Sequence, residues 1–440
     1  MRRFVALLFF LVLVNEDDEV RAMYAKYTAS FFAWVSVLLD GRLGIRPVDL
    51  LLLGVLAYGS LRGGSKTKAV RPMKRSLLVA FVVLVLWFAY GVARGGSARA
   101  AGWQVYLLFA CILASFSIAS VFRTAEHYIM LAKVALVAGI YRAIRCILFY
   151  FEYVRDGHIN PRPEYMTSHD DTVLWTVGVA FVLLSAILTP SLRTKVIAGL
   201  VTPLLLAGMQ FNNRRLAWIS LGGALIALYF LLPASPAKKR ARKIAYVVVP
   251  VIAIYTAVGW GRPEGIFRPL RSFQTVSVEQ DASTLARNAE NLGLIATANQ
   301  GWLLGTGWGQ KYVEVTSKYQ IHFFELWPYV PHNSVLGLFA YTGYFGFIGF
   351  WMIFPTATFL HARTATFAPR PRDRLVGMLG VVQILACSNQ WYGDMGSFSA
   401  TTMYMLAFAF AAAMRIPIAT GAWPGGEPSA NLAARGAPAT

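Results

Sequence analysis

Apolar runs of about twenty residues recur along almost the whole chain, and this constrains the fold more than any motif does. A helix needs about 20 largely apolar residues to cross a bilayer. Such runs stand at 77–93, 103–121, 127–151, 173–189, 195–211, 214–232, 244–260, 333–360, 375–392 and 398–416. A further run at 47–61 and two short ones, at 4–14 and 25–39, come before them. Only 14% of the 440 residues are charged, against about 25% in an ordinary soluble domain. The chain reads as an all-α, polytopic transmembrane helical bundle. One of the two short runs is expected not to cross alone, which leaves about twelve spans by the length rule.

The charges that are present orient the bundle. The net charge is +20, but its basic residues gather in short loops between apolar runs, which points to membrane lipids rather than nucleic acid. The 62–75 loop holds Arg62, Lys66, Lys68, Arg71, Lys74 and Arg75 and no acid. Lys238, Lys239, Arg240, Arg242 and Lys243 crowd a second loop, and Arg363, Arg370, Arg372 and Arg374 a third. The positive-inside rule makes these three cytoplasmic. One outward span, 244–260, then places 261–331 on the opposite face, where six basic and six acidic residues balance. The expected organisation is N-terminal membrane helices over 1–260, a large extracytoplasmic loop over 261–331, C-terminal membrane helices over 332–416 and a disordered cytoplasmic tail over 417–440. Met1 to Val14 resembles a signal peptide, but the acidic stretch Asn15-Glu16-Asp17-Asp18-Glu19 replaces a small-residue cleavage site, so the segment is expected to be retained.

Within the large loop, Leu285 to Asn299 reads as a helix capped by Asp281-Ala-Ser283-Thr284. Arg287, Glu290 and Asn291 share one of its faces. A Gly/Trp-rich turn follows from Gly301 to Gly309.

Three constellations carry candidate chemistry. Asn213, Arg214 and Arg215 lie between two apolar runs on the face that should be poor in basic residues. Arginines at helix ends commonly snorkel to headgroups, but their place on this face beside paired asparagines favours anion binding. Arg287 on the loop helix is the second; alone it reads as a solvated residue paired with Glu290. Arg262, Arg268 and Arg271 add cations on the same side. Several guanidiniums facing one cavity suit a diphosphate, whose oxygens they hold in bidentate fashion. The third is Pro331-His332-Asn333-Ser334, where Asn333 or Ser334 caps a helix and His332 sits at the membrane surface as a candidate general base. Trp302, Trp308, Tyr312, Tyr319 and Trp327 offer aromatic faces for sugar rings, although interfacial aromatic belts are commoner.

Other chemistries lack their signatures. The sequence carries no Walker A motif, no Gly-x-Ser-x-Gly and no paired metal-ligand spacing. Cys111, Cys146 and Cys387 all lie in apolar runs and read as buried free thiols. His169-Asp170-Asp171 reads as a solvated loop in preference to a metal site. No cofactor or metal is expected.

Taken together, these segments resemble the O-antigen ligase and O-antigen polymerase superfamily. Asn213-Arg214-Arg215-Leu216-Ala217-Trp218 is similar to its S-R-G-A-W helix start. Arg287 followed by Gly305-Thr306-Gly307-Trp308-Gly309 is similar to its loop arginine and G-x-G-x-G turn, and Pro331-His332-Asn333-Ser334 with Gly343-Tyr344-Phe345-Gly346 to its H-N-x-x-L…G-x-x-G segment. The resemblance covers about 195–350. It implies a metal-independent glycosyltransferase of the bacterial inner membrane that takes a glycan from undecaprenyl diphosphate on the periplasmic side. The acceptor would be a lipid A core sugar or another glycan, in lipopolysaccharide or exopolysaccharide biosynthesis. By the same resemblance, Arg215 and Arg287, with Arg214 beside them, would bind the diphosphate, and His332 would activate the acceptor hydroxyl. Asn213, Arg262, Arg268, Arg271, Asn333 and Trp308 remain candidates for substrate contact. Arg214-Arg215 departs from the family's Ser-Arg, and Arg215 is the match because Ala217-Trp218 follow it at the right offset. A glycan transporter or flippase, and a protein O-oligosaccharyltransferase, are the competing readings. A transporter should carry midplane charges and broken helices in two matching halves, whereas here the polar residues gather at one face.

Overall fold

The computed structural model describes residues 1–15, 46–62, 69–155, 166–262, 267, 270, 282–316 and 327–424. Arg268, Arg271, Tyr319 and the 25–39 run lie outside the described residues, as does 425–440. Fourteen α-helices and no strand occur among the described residues. They are α1 Arg2–Val14, α2 Pro47–Arg62, α3 Arg71–Ala93, α4 Ala98–Val121, α5 Ala125–Phe149, α6 Asp171–Leu188, α7 Leu192–Asn212, α8 Arg215–Leu231, α9 Pro236–Gly259, α10 Ala282–Asn299, α11 Ser334–Trp351, α12 Ile353–Phe367, α13 Pro371–Gly393 and α14 Ala400–Ala419. Eight helical stretches among the described residues are long and apolar enough to cross a membrane. The protein is therefore an all-helical, membrane-embedded bundle.

Apolar residues lie on both its inside and its outside, as a lipid solvent allows. α14 forms the centre, buried from Thr401 to Met414 on nearly every side, with α4, α12 and α13 packed around it. Its alanines at 407, 409 and 411–413 let neighbouring backbones approach closely. On α3, by contrast, Leu78, Val82, Val85 and Leu86 are exposed, and on α9 so are Val247, Val249, Ile252 and Ile254. In water such faces would be a liability; against hydrocarbon they cost nothing.

Helix ends collect at two ends of the bundle. At one end Val70 donates its backbone N–H to Met414, Arg415 donates to the Ala119 carbonyl and Arg2 to the Val121 carbonyl. At the other end the Gly/Trp turn binds the link between α3 and α4, with Ser97 donating to Gly309. The basic residues of the 361–374 region and Arg71, Lys74 and Arg75 belong to the first end. Arg214, Arg215, Arg287 and His332 belong to the second.

The 333–360 run, expected as one span, is two helices, and the first of them is kinked. Gly343 has φ +60°, ψ −169°, which only glycine adopts readily. The break frees backbone groups that must be satisfied away from water. The Gly/Trp turn supplies the partners. Tyr344 and Phe345 donate to the carbonyls of Trp302 and Leu303 (2.8 and 3.2 Å), while Thr306 and Gly307 donate to Ala340 and Tyr341 (3.2 and 2.8 Å). Gly305, Gly307 and Gly309 all have positive φ. A Cβ on Gly307 would lie 2.3 Å from the Cα of Gly91, and one on Gly305 2.5 Å from the Tyr341 carbonyl. Trp87 Nε1 donates to Leu304 O (2.6 Å), and Gly309 N–H to Gln104 Oε1 (2.5 Å). The turn is thus wedged between α3, α4 and α11.

The first part of the expected tail, 417–424, also differs from expectation. α14 continues to Ala419 through Pro417, and beyond it Trp423 donates its N–H back to the Pro417 carbonyl (2.9 Å) while Ala422 O accepts from Arg363 (2.5 Å). Residues 417–424 are therefore packed rather than a disordered tail.

Candidate functional site

The sharp turn between α7 and α8 is built by its two asparagines. Asn212 is fully buried; its Oδ1 accepts from the N–H groups of Met166 and Thr167 (3.0 and 2.9 Å) and its Nδ2 donates to Ser168 O (3.2 Å). Asn213 takes φ +57°, ψ +30°, a left-handed conformation that asparagine tolerates better than most residues. The chain then reverses, so that Arg214 is the N-cap of α8 and Arg215 its first residue. Two guanidiniums therefore stand at a helix N-terminus, itself a positive pole.

Asn212 also fixes the loop that carries His169. This corrects the reading of 169–171 as solvated: Asp170 and Asp171 are buried, and the His169 side chain keeps only 27% of its surface exposed. Arg214 Nη2 lies 2.9 Å from His169 Nε2, and His169 Nδ1 contacts Asp394 Oδ2. A guanidinium only donates and a carboxylate only accepts, so His169 accepts at Nε2 and donates at Nδ1. Only the neutral imidazole does both. Burial, and next the charges of Arg214 and Arg287, push its pKa well below the ordinary 6.5. Asp394 Oδ1 lies 3.6 Å from Arg287 Nη2. The result is a chain of four groups, Arg214–His169–Asp394–Arg287, drawn from four separate segments.

α10 presents the face that carries Arg287, Glu290 and Asn291, but the pairing is not the expected one. Glu290 is buried and bonds to His332, accepting the backbone N–H at 2.6 Å through Oε1 and meeting Nδ1 at 2.9 Å through Oε2. Arg287 turns instead to Asp394. Because Glu290 accepts at Nδ1, neutral His332 carries its proton there and offers Nε2 as a base. Asn333 donates to Asn291 (3.3 Å) and caps α11 by accepting from Leu336 N–H (3.0 Å). The His332 carbonyl accepts from Met395 N–H (2.7 Å), which draws the Asp394 turn against it.

The remaining candidates fall elsewhere. Arg262 is exposed just after α9. Trp308 is 3% exposed and packs on Tyr341 (5.3 Å between ring centres), and Tyr312 is buried against Trp327 (5.3 Å). These rings hold the loop together and do not form a sugar-facing platform; Trp302, 59% exposed, stands apart beside Tyr344. Among the described residues no three His, Cys, Asp or Glu side chains are grouped to hold a metal ion. The cysteines are buried and free.

Sequence reading set His169 aside as part of a solvated loop and did not single out Asp394. The signal for Asp394 was an acid closing an otherwise apolar run; for His169 it was a histidine beside two acids on the arginines' side. In comparisons with known proteins, no family model and no curated protein matches this chain.

Proposed function

We propose that this protein is a glycosyltransferase of the bacterial inner membrane, moving a glycan from undecaprenyl diphosphate to a sugar acceptor on the periplasmic side. The observation that carries the reading is the meeting of two arginines from different elements with a His–Glu pair at one end of a membrane bundle. The reaction breaks the bond between the anomeric carbon and the diphosphate oxygen. The electron pair goes to that oxygen, and Arg214 and Arg287 stabilise the charge that develops there. The acceptor oxygen attacks the anomeric carbon from the opposite face and its proton passes to His332 Nε2, giving inversion. Glu290 holds the ring and stabilises the imidazolium that forms. Arg214, the arginine in contact with His169, is preferred to Arg215 for the diphosphate. About twelve spans with cytoplasmic basic loops, by the positive-inside rule, would put this site in the periplasm.

The test is transfer by the protein in lipid nanodiscs, with an undecaprenyl-diphosphate glycan and candidate acceptors, in EDTA. Arg214→Ala and Arg287→Ala are expected to lower kcat/KM by about 10²–10³, the usual loss of an oxyanion partner, and His332→Ala to lower kcat by about 10²–10⁴, the range of acid–base assistance. The acceptor that works separates polymerase, ligase and protein O-oligosaccharyltransferase. Donor binding without transfer to any acceptor, unaffected by the three variants, would favour a flippase.

A further inference from the structure

The site holds two histidines in the same tautomer with opposite uses. His332 donates at Nδ1 to Glu290 and leaves Nε2 for a proton. His169 also donates at Nδ1, to Asp394, but its Nε2 is already taken by Arg214 at 2.9 Å. It therefore has no nitrogen left to act as a base. What it does have is a fixed position. Asn212 grips the 166–168 backbone with three hydrogen bonds, and Thr402 on α14 donates to Asp170 (3.4 Å) from the other side. Asp394, 8% exposed, is held by Met395 N–H on the His332 carbonyl and by Gln390 Nε2 on its own carbonyl (3.0 Å). The two arginines are the long side chains of the set, and Arg287 keeps 35% of its side-chain surface exposed.

We propose that His169 is a positioning residue for the lipid diphosphate: it accepts from Arg214 and, through Asp394, sets that guanidinium at a fixed spacing from Arg287. The inference rests on the glycosyltransferase reading. It adds that the two arginines, one at the N-cap of α8 and one on α10, are preorganised before the donor arrives, which reduces the ordering that binding must impose. Asp394 contacts His169 and lies 3.6 Å from Arg287 Nη2, beyond hydrogen-bond distance, so a diphosphate can engage that guanidinium while His169 keeps Arg214 in place.

The experiment measures binding of undecaprenyl diphosphate, without glycan, to the full chain in nanodiscs, together with donor and acceptor KM. His169→Ala is expected to weaken that binding and raise donor KM by about 10- to 100-fold, the size of one hydrogen bond to a charged group, with acceptor KM unchanged. His169→Gln, whose amide oxygen reaches the Nε2 position and accepts from Arg214, is expected to recover most of the loss. Wild-type binding and donor KM in His169→Ala would overturn the proposal while leaving the glycosyltransferase reading intact. Should His169→Ala not fold, His169→Gln is set against His169→Asn, which keeps a donor for Asp394 but not an acceptor for Arg214; tighter binding by Gln supports the proposal, and equal or weaker binding overturns it. A wild-type protein that neither binds undecaprenyl diphosphate nor transfers glycan overturns the functional reading, and this inference with it.

Discussion

Glu290 shows how a residue's role depends on what faces it. Its helical spacing suggested a weak surface pair with Arg287, yet burial and the fold give it to His332. A buried carboxylate that accepts from both a ring nitrogen and the same residue's backbone fixes the ring in position and in tautomer. Glu290→Gln is expected to lower kcat by about 10²-fold, the typical worth of acid–base assistance, with little change in donor KM. The double variant Glu290→Gln/His332→Ala should be no slower than His332→Ala alone, since the pair acts as a unit. Additive losses would separate Glu290 from the base. His169 makes a prediction in pH. Its folded pKa lies well below 6.5, so below pH 6.5 the unfolded chain binds a proton that the folded chain refuses, and stability falls as pH falls. The melting temperature in nanodiscs should therefore drop between about pH 7 and pH 5, the side of the ordinary histidine pKa where the unfolded chain protonates. His169→Gln should show a shallower slope; an unchanged slope would place the effect elsewhere.

Among the elements, the helices were legible because a bilayer demands long apolar runs, and every run expected within the described residues is helical. The breaks were not legible in the same way. Gly343 reads as one small residue in an apolar stretch, and nothing nearby says that the helix stops there. The break exists because residues 301–309, some forty positions earlier, insert their backbone into it. Local sequence cannot encode a partner that distant; the glycines of 301–309 were legible as a turn, not as a close approach to another helix. The turn also spans from α3 and α4 to α11, and α10 and His332 flank it in sequence, so its packing bears on the site. Gly305→Ala meets both a left-handed φ of +69° and a Cβ 2.5 Å from the Tyr341 carbonyl. Backbone strain of about 1–3 kcal/mol is expected from the conformation alone, with the clash in addition. Limited trypsin cleavage after Lys311 should accelerate in this variant. Gly102→Ala, on α4 with nothing within 4 Å of the added carbon, should leave the rate unchanged and serves as the control.

At the scale of the whole molecule, charge and chemistry separate by end. The candidate site draws on the ends of α6, α7, α8, α11 and α13 and on one face of the loop helix α10. No one segment could have disclosed the site: Arg214, Arg287 and His332 were visible as unusual polar residues and Glu290 as a neighbour of Arg287, but His169 and Asp394, which link the arginines, lie in other segments and looked ordinary. The basic end was plain from composition, since clusters of lysine and arginine without acids have one common cause in a membrane protein. This separation yields a direct test of sidedness. Cys111, Cys146 and Cys387 are all buried, so a single introduced cysteine should give a clean signal with a membrane-impermeant maleimide. Trp302 is exposed beside the turn at the site end, and Arg240 is exposed at the start of α9 among the basic residues. In intact spheroplasts Trp302→Cys should label and Arg240→Cys should not, until the membrane is permeabilised. The opposite pattern would put the arginines and His332 in the cytoplasm, where a donor presented on the outer leaflet cannot reach them. Labelling of both in intact cells would show that the two ends do not lie on opposite sides of the bilayer.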